Sequence, residues 1–164
     1  MGHYASEMGY EPPKRTHQEI AKPPVQIGVK RIGSHSLLLP AYQSEGAAAF
    51  DLCASRPARL EPTPILIGCG FAFEIPSGWV GRVVPRSSLN HAGVQCWPGT
   101  IDSDYRGEVF VCLSLPFGSG IRVQAGDRIA QMIVHPAPQF ELVEVEELSE
   151  TVRGDGAFGS TGSR

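Results

Sequence analysis

Between Gly99 and Val109 the chain sets Asp102, Asp104, Tyr105 and Arg106 between two glycines, directly ahead of an alternating strand pattern. Carboxylates held at fixed spacing on a turn are the groups that orient or deprotonate a water molecule. Gly99 and Gly107 are expected to give that turn backbone conformations other residues resist. A second segment, Gly81 to Leu89, ends a strand pattern in Pro85-Arg86-Ser87-Ser88. One guanidinium beside two hydroxyls suits anionic oxygens, although the same pattern fits a capped turn or helix start, with a short helical turn over Ser88 to His91. In the third, Gly126 to Ile133, Asp127 and Arg128 are expected to pair, while Gln131 falls on the face of Ile129 and Ile133. A side-chain amide there has to be satisfied internally or line a site. Near the C-terminus, Arg153-Gly154-Asp155-Gly156-Ala157-Phe158-Gly159-Ser160-Thr161-Gly162 sets a cation, an aromatic ring and two hydroxyls among glycines. One reading is a disordered chain end. The other is a mobile lid that orders over a nucleotide, with phosphate on the arginine and amides and the base on the ring.

These segments need a scaffold, and the composition limits it. With 164 residues and 41% apolar content the chain suits one domain with its own core. A net charge of −3 lacks the basic excess that long nucleic acid requires. Apolar stretches are only a few residues long, and the start Met1-Gly2-His3-Tyr4 carries no leader pattern, so neither secretion nor membrane insertion is expected. Cys53, Cys69, Cys96 and Cys112 lie at least sixteen residues apart, which writes neither a zinc site nor a redox pair. Reduced thiols and a cytoplasmic location are the expectation. His35, His91 and His135 form no ligand constellation in sequence and are expected on the surface or in packing roles.

Apolar residues alternate at Val25, Ile27 and Val29, at Phe71, Phe73 and Ile75, and at Val109, Val111, Leu113 and Leu115, predicting half-buried strands. Glycine and proline turns interrupt them throughout, and no long helical face emerges. The fold class is therefore all-β, a sandwich or jelly roll. Residues 1–24, with Pro12, Pro13, Pro23 and Pro24, read as a flexible arm; 25–145 as the β domain; 146–164 as a mobile C-terminal arm.

Taken in order, Ala48 to Ala54, Pro85 to Leu89, Gly99 to Gly107, Gly126 to Gln131 and Arg153 to Gly162 resemble the five ordered motifs of the homotrimeric dUTPases, over roughly residues 25–162. The resemblance implies a jelly-roll, distorted-barrel subunit in a three-fold trimer whose sites are shared among chains. It implies magnesium-dependent hydrolysis of dUTP to dUMP and pyrophosphate, which limits uracil in DNA and supplies dUMP. By the same likeness Asp102 orients and activates the water that attacks the α-phosphorus, and Tyr105 packs on the deoxyribose and excludes a 2′-hydroxyl. Asp51 holds magnesium through water. Arg86, Ser87, Ser88 and Gln131 contact the phosphates, with Gln131 and Arg153 counted beside Asp102 in the catalytic set. Gly99 and Thr100 belong to the nucleotide-binding hairpin; Phe158 stacks on uracil; Gly159, Ser160 and Thr161 complete the lid near the γ-phosphate. The chain departs from the pattern at Ala49 and Ala157, where glycine is usual, and at Cys96, where many bacterial members carry asparagine, which leaves uracil to main-chain groups. Trp97 is read as a hairpin packing residue or an added nucleotide contact. Two other functions fit the same fold: a dCTP deaminase, and a nucleotide-gated regulator that binds a protein partner.

Overall fold

Alternation and turn chemistry build a strand-dominated subunit, seen in a computed structural model that describes residues 25–118 and 120–157. In chain order the elements are β1 (Gly28–Arg31), β2 (Phe50–Cys53), β3 (Ala58–Leu60), β4 (Ile65–Gly68), β5 (Phe71–Glu74), β6 (Trp79–Val84), α1 (Ser87–His91), β7 (Gln95–Trp97), β8 (Gly99–Ile101), β9 (Phe110–Ser114), β10 (Ile121–Val123) and β11 (Arg128–Pro136). The strands form a four-stranded sheet in the order β2-β11-β6-β8, a three-stranded sheet β4-β9-β7, and two-stranded pairs β1-β5 and β10-β3. All of these pairings are antiparallel, and the sheets wrap as a jelly-roll, distorted barrel.

Strand β9 follows the expected alternation: Val109, Val111, Leu113 and Leu115 are all buried. In β5, Phe71, Ala72 and Phe73 are all buried, so this strand is covered on both faces. The first pattern falls short of a half-buried strand, because β1 begins only at Gly28 and its four residues are exposed. With β5 as its partner on one side, β1 leaves its other edge open among the described residues. In β11 the register shifts between Arg128 and Ala130. That irregularity sends Ile129 into the core beside Ala130 and Met132, so Gln131 shares its face with Ile133 and not with Ile129. Gly81 in β6 sits where a Cβ would come within 2.9 Å of both Ile75 Cδ1 and Met132 Sδ, so the core closes directly on its backbone.

After Pro136 the chain carries no regular element through Ala157. Its apolar residues Phe140, Leu142, Val143, Val145 and Leu148 are all exposed in the single chain. Residues 1–24, the expected arm, lie outside the described residues.

Candidate active site

The outer face of the four-stranded sheet gathers the first group of site residues. Register places Asp51 of β2 opposite Gln131 of β11, and Gln131 opposite Val84 of β6. Pro85 follows and cannot donate to the ladder, so β6 ends there; Arg86, still extended, leads into the single helical segment among the described residues. The turn drops Arg86 beside Asp51. The Asp51 side chain is 10% exposed, a burial that a carboxylate tolerates only when paired. Its Oδ1 meets Arg86 Nε at 3.2 Å and its Oδ2 meets Arg128 Nη1 at 3.1 Å. Arg86 Nη1 also donates to the Arg128 carbonyl at 3.0 Å, so this guanidinium is fixed at two points. Gln131 Nε2 donates to the Pro85 carbonyl at 3.0 Å, which satisfies the amide and ties β11 to the same turn. Ser87 and Ser88 stand exposed at the start of α1, and no side chain caps that helix. Burial, and next the Asp51 charge, push the Cys53 thiol upward, leaving a neutral neighbour at the edge of the cluster.

The expected pair between Asp127 and Arg128 is not formed. Asp127 Oδ2 accepts the Gln124 N–H at 2.7 Å and closes its own turn, while Arg128 reaches across to Asp51. Arg128 is thus a site residue that sequence reasoning missed. Only the β2–β11 pairing, a contact across 77 positions, reveals it.

The turn after β8 carries the second group; it is a loop between two sheets and not the expected hairpin, since β8 pairs with β6 while β9 pairs with β4 and β7. Gly99 and Thr100 lie in β8 opposite Val83 and Arg82, and Arg82 Nη1 donates to the Thr100 hydroxyl. Asp102 is exposed, and its carbonyl accepts the Tyr105 N–H at 3.1 Å. Arg106 Nη1 donates to the carbonyls of Ser103 at 2.7 Å and Tyr105 at 3.0 Å, bracing the turn from outside. Asp102, Ser103 and Asp104 line an open cleft of about 740 Å3 with Trp79, Pro138 and Gln139. Neither Gly99 nor Gly107 has a positive φ, so backbone freedom is not what glycine provides at these two positions. At Gly107 the reason is space: the Tyr105 ring lies where a Cβ would stand. Trp97 is not on the hairpin tip; it stands half-exposed on β7 opposite Cys112. Burial pushes the Cys96 thiol up to about 11, so this residue presents a neutral, weakly polar group in place of an amide.

These two groups do not meet within one chain. Asp51 is level with Val84 of β6, whereas Asp102 follows Ile101, which pairs with Gly81. At about 3.3 Å per residue and 4.8 Å per strand, that is roughly 13 Å along the strands and roughly 14 Å across three spacings, about 20 Å in all. The third group is only partly described. Arg153 Nε donates to the Gly156 carbonyl at 2.9 Å within a local turn, and Phe158, Gly159, Ser160 and Thr161 lie outside the described residues.

As to metal, no cluster of three or more His, Cys, Asp or Glu side chains exists among the described residues. A carboxylate has about four acceptor positions, and arginines take two of Asp51's. The donor set fits a magnesium ion that keeps its waters and is held mainly by substrate phosphates, not an ion caged by protein. His35 is a packing residue, edge-on to Phe71 at 5.1 Å.

The sequence model of the dUTPase family matches residues 36–162. The deoxyuridine 5'-triphosphate nucleotidohydrolase of Anaeromyxobacter sp. (strain Fw109-5) is 46% identical over 145 residues, covering 85% of this chain and 99% of its own. That of Rhizobium johnstonii is 46% identical over 142 residues, covering 82% of this chain and 91% of its own. Among solved structures, the dUTPase of Staphylococcus bacteriophage 80alpha with dUPNHPP superposes with a TM-score of 0.78 at 25% identity, over 84% of this chain and 98% of that one. The dUTPase of phage phi11 of S. aureus, whose structure concerns coordination of a structural Mg(II) ion, shares the fold with a TM-score of 0.70 at 22% identity, over 75% of this chain and 98% of that one.

Proposed function

This chain belongs to the dUTPase family, and from that membership we infer how its residues divide the hydrolysis of dUTP to dUMP and pyrophosphate. The enzyme is a dUTP diphosphatase; conversion of a cytosine base is not favoured by the family match or by the relatives. Asp102 orients and deprotonates the water that attacks the α-phosphorus, because its carboxylate stands exposed with no ion pair among the described residues. Arg86, Gln131, Ser87 and Ser88 receive the phosphate chain. Arg86 is suited to this by its double anchorage, since a cation already held in place costs no reorganisation as charge builds on the leaving pyrophosphate. Tyr105 faces the sugar, with Gly99 and Thr100 on β8 just ahead of its turn. Arg153 and the following residues, Phe158 on uracil and Gly159, Ser160 and Thr161 at the outer phosphates, close the site against bulk water. Magnesium, bound with the nucleotide, would neutralise phosphate charge, and Asp51 would hold its water shell.

The observation that carries the reading is the gap of about 20 Å between Asp51 and Asp102, worked from strand spacing. Chemistry needs both at one triphosphate, so the active centre draws the arginine group from one subunit and the turn after β8 from another. A cyclic trimer with three shared sites provides this. The exposed apolar residues from Phe140 to Leu148 support such an assembly, since they have nothing to cover them in one subunit. No helix among the described residues is long and apolar enough to cross a membrane.

Subunit complementation tests the shared site. Asp102→Asn and Arg86→Ala proteins, each inactive alone, are unfolded together, refolded as a mixture and assayed for pyrophosphate release. Random mixing in a trimer gives about a quarter of the centres an intact pair, so about a quarter of the wild-type rate is expected. A mixture as inactive as its components would place Asp102 and Arg86 in the same subunit's site.

A further inference from the structure

The Tyr105 ring is fixed from three directions. Its hydroxyl donates to the Glu108 carbonyl at 2.9 Å, and its N–H closes the turn on Asp102 at 3.1 Å. Its ring lies over Gly107, where a Cβ would fall 3.0 Å from Cε2 and closer still to Cζ and the hydroxyl oxygen. Contacts that short do not occur between real Cβ atoms and a ring, so any side chain at 107 displaces Tyr105. Glu108 is anchored in turn. Its Oε1 accepts the Gly70 N–H at 2.8 Å, in the turn between β4 and β5. The Gly70 carbonyl lies 2.8 Å from His35 Nε2, and the other His35 nitrogen lies 2.9 Å from Arg31 Nη1. Arginine only donates, so His35 accepts at Nδ1 and donates to Gly70 from Nε2. The carbonyl that holds the Tyr105 hydroxyl is therefore held itself, by a hydrogen-bonded connection reaching to β1.

We propose that Gly107 and Glu108 are positioning residues that set the sugar selectivity of the site: Gly107 leaves room for the Tyr105 ring, and Glu108 fixes it in place. A ring so held presents a rigid wall that a deoxyribose clears and a 2′-hydroxyl meets. Were the ring free to tilt, the added oxygen would be accommodated. The inference rests on the reading of Tyr105 as the sugar-facing residue.

The test measures kcat/KM for dUTP and for UTP in wild type, Tyr105→Ala, Gly107→Ala, Glu108→Ala and Glu108→Gln. One shape feature of a pocket is worth about 10- to 200-fold in discrimination, so Gly107→Ala and Glu108→Ala are each expected to lower the dUTP/UTP ratio by about tenfold. Glu108→Gln keeps an acceptor for the Gly70 N–H and is expected to restore the ratio, which a role for the charge alone would not allow. If Tyr105→Ala collapses the ratio while Gly107→Ala and Glu108→Ala leave it at the wild-type value, the positioning role is overturned and the reading of Tyr105 stands. If Tyr105→Ala itself leaves the ratio unchanged, both fall. Thermal melts accompany each variant; should Gly107→Ala not fold, the comparison of Glu108→Ala with Glu108→Gln decides alone.

Discussion

Replacing Asp51 by asparagine removes one charge from the centre of the arginine cluster and leaves the shape almost unchanged. Deleting one partner of a buried ion pair costs about 3–5 kcal/mol. Here the partners are not equally buried: the Arg86 side chain is 22% exposed and that of Arg128 is 47% exposed. Water compensates Arg128 well and Arg86 in part, which brings the cost down to about 2 kcal/mol. For a domain of this size that lowers Tm by about 4–8 °C at fixed protein concentration. The effect on turnover is larger in proportion. The amide oxygen left at position 51 still accepts from Arg86 Nε but without charge assistance, so Arg86 is held less firmly, and a displacement of about 1 Å at a positioned group costs about a hundredfold in rate. Pyrophosphate release with magnesium present, measured well below the melting temperature, gives the rate, and differential scanning fluorimetry gives Tm. Arg128→Lys keeps the charge but exchanges a planar fork for a point donor, so an intermediate loss in both is expected. An Asp51→Asn protein that melts as expected and turns over within about threefold of wild type would refute the argument, because neither anchoring of Arg86 nor holding of metal waters could then depend on that carboxylate.

Deleting residues 153–164 is expected to leave a folded assembly with little dUTP hydrolysis, checked by light scattering and pyrophosphate release, because core packing among the described residues needs nothing beyond β11. Gly81→Ala should destabilise the subunit by about 1–3 kcal/mol, the usual cost of overpacking, since its Cβ would meet Ile75, Met132 and Ile101 at 2.9–3.2 Å; urea denaturation reads this directly. Burial raises the Cys69 thiol from 9.0 to about 12 and the Cys96 thiol from 9.0 to about 11. A thiol that ionises later in the fold than in the unfolded chain gives stability that is complete below about pH 9 and lost as pH climbs through 11 to 12. Denaturation midpoints should accordingly fall between pH 9 and 11, and less so in Cys69→Ser.

Much of this arrangement was legible in the residues. Period-two alternation located β9 because its inner face is purely aliphatic, and Pro85 followed by Arg-Ser-Ser marked the end of β6 and the short α1. The β1 segment misled because its alternation lies on an exposed edge strand that makes little use of it. Gln131 was placed correctly as an amide needing a partner, but the register shift after Arg128 moved Ile129 to the other face, and such an irregularity has no signature in side-chain order. The pairing of Arg128 failed for a different reason. Adjacent opposite charges suggest a local bond, yet in a turn Asp127 is better used by a backbone N–H three residues away. Gly99 and Gly107 show the same limit, since sequence marks where a Cβ is missing but not whether torsion or a neighbouring ring excludes it.

Two aspartates of the proposed site are chemically alike and are made different by where the strands put them. Asp51 is sunk in the sheet with both oxygens engaged by guanidinium groups, which leaves it few acceptor positions for water. Asp102 stands on an exposed turn whose own arginine, Arg106, is occupied with the carbonyls of Ser103 and Tyr105, so its carboxylate keeps its acceptor capacity for water. Carboxyl groups in unlike environments take unlike roles, and under the proposed function the structural charge falls to Asp51 and the water to Asp102. Brought together within one chain, Asp102 would stand against the same arginines that pair with Asp51. In the proposed trimer the two meet only between subunits, around a triphosphate that occupies the arginines' remaining donors and leaves the Asp102 carboxylate free to accept from the attacking water.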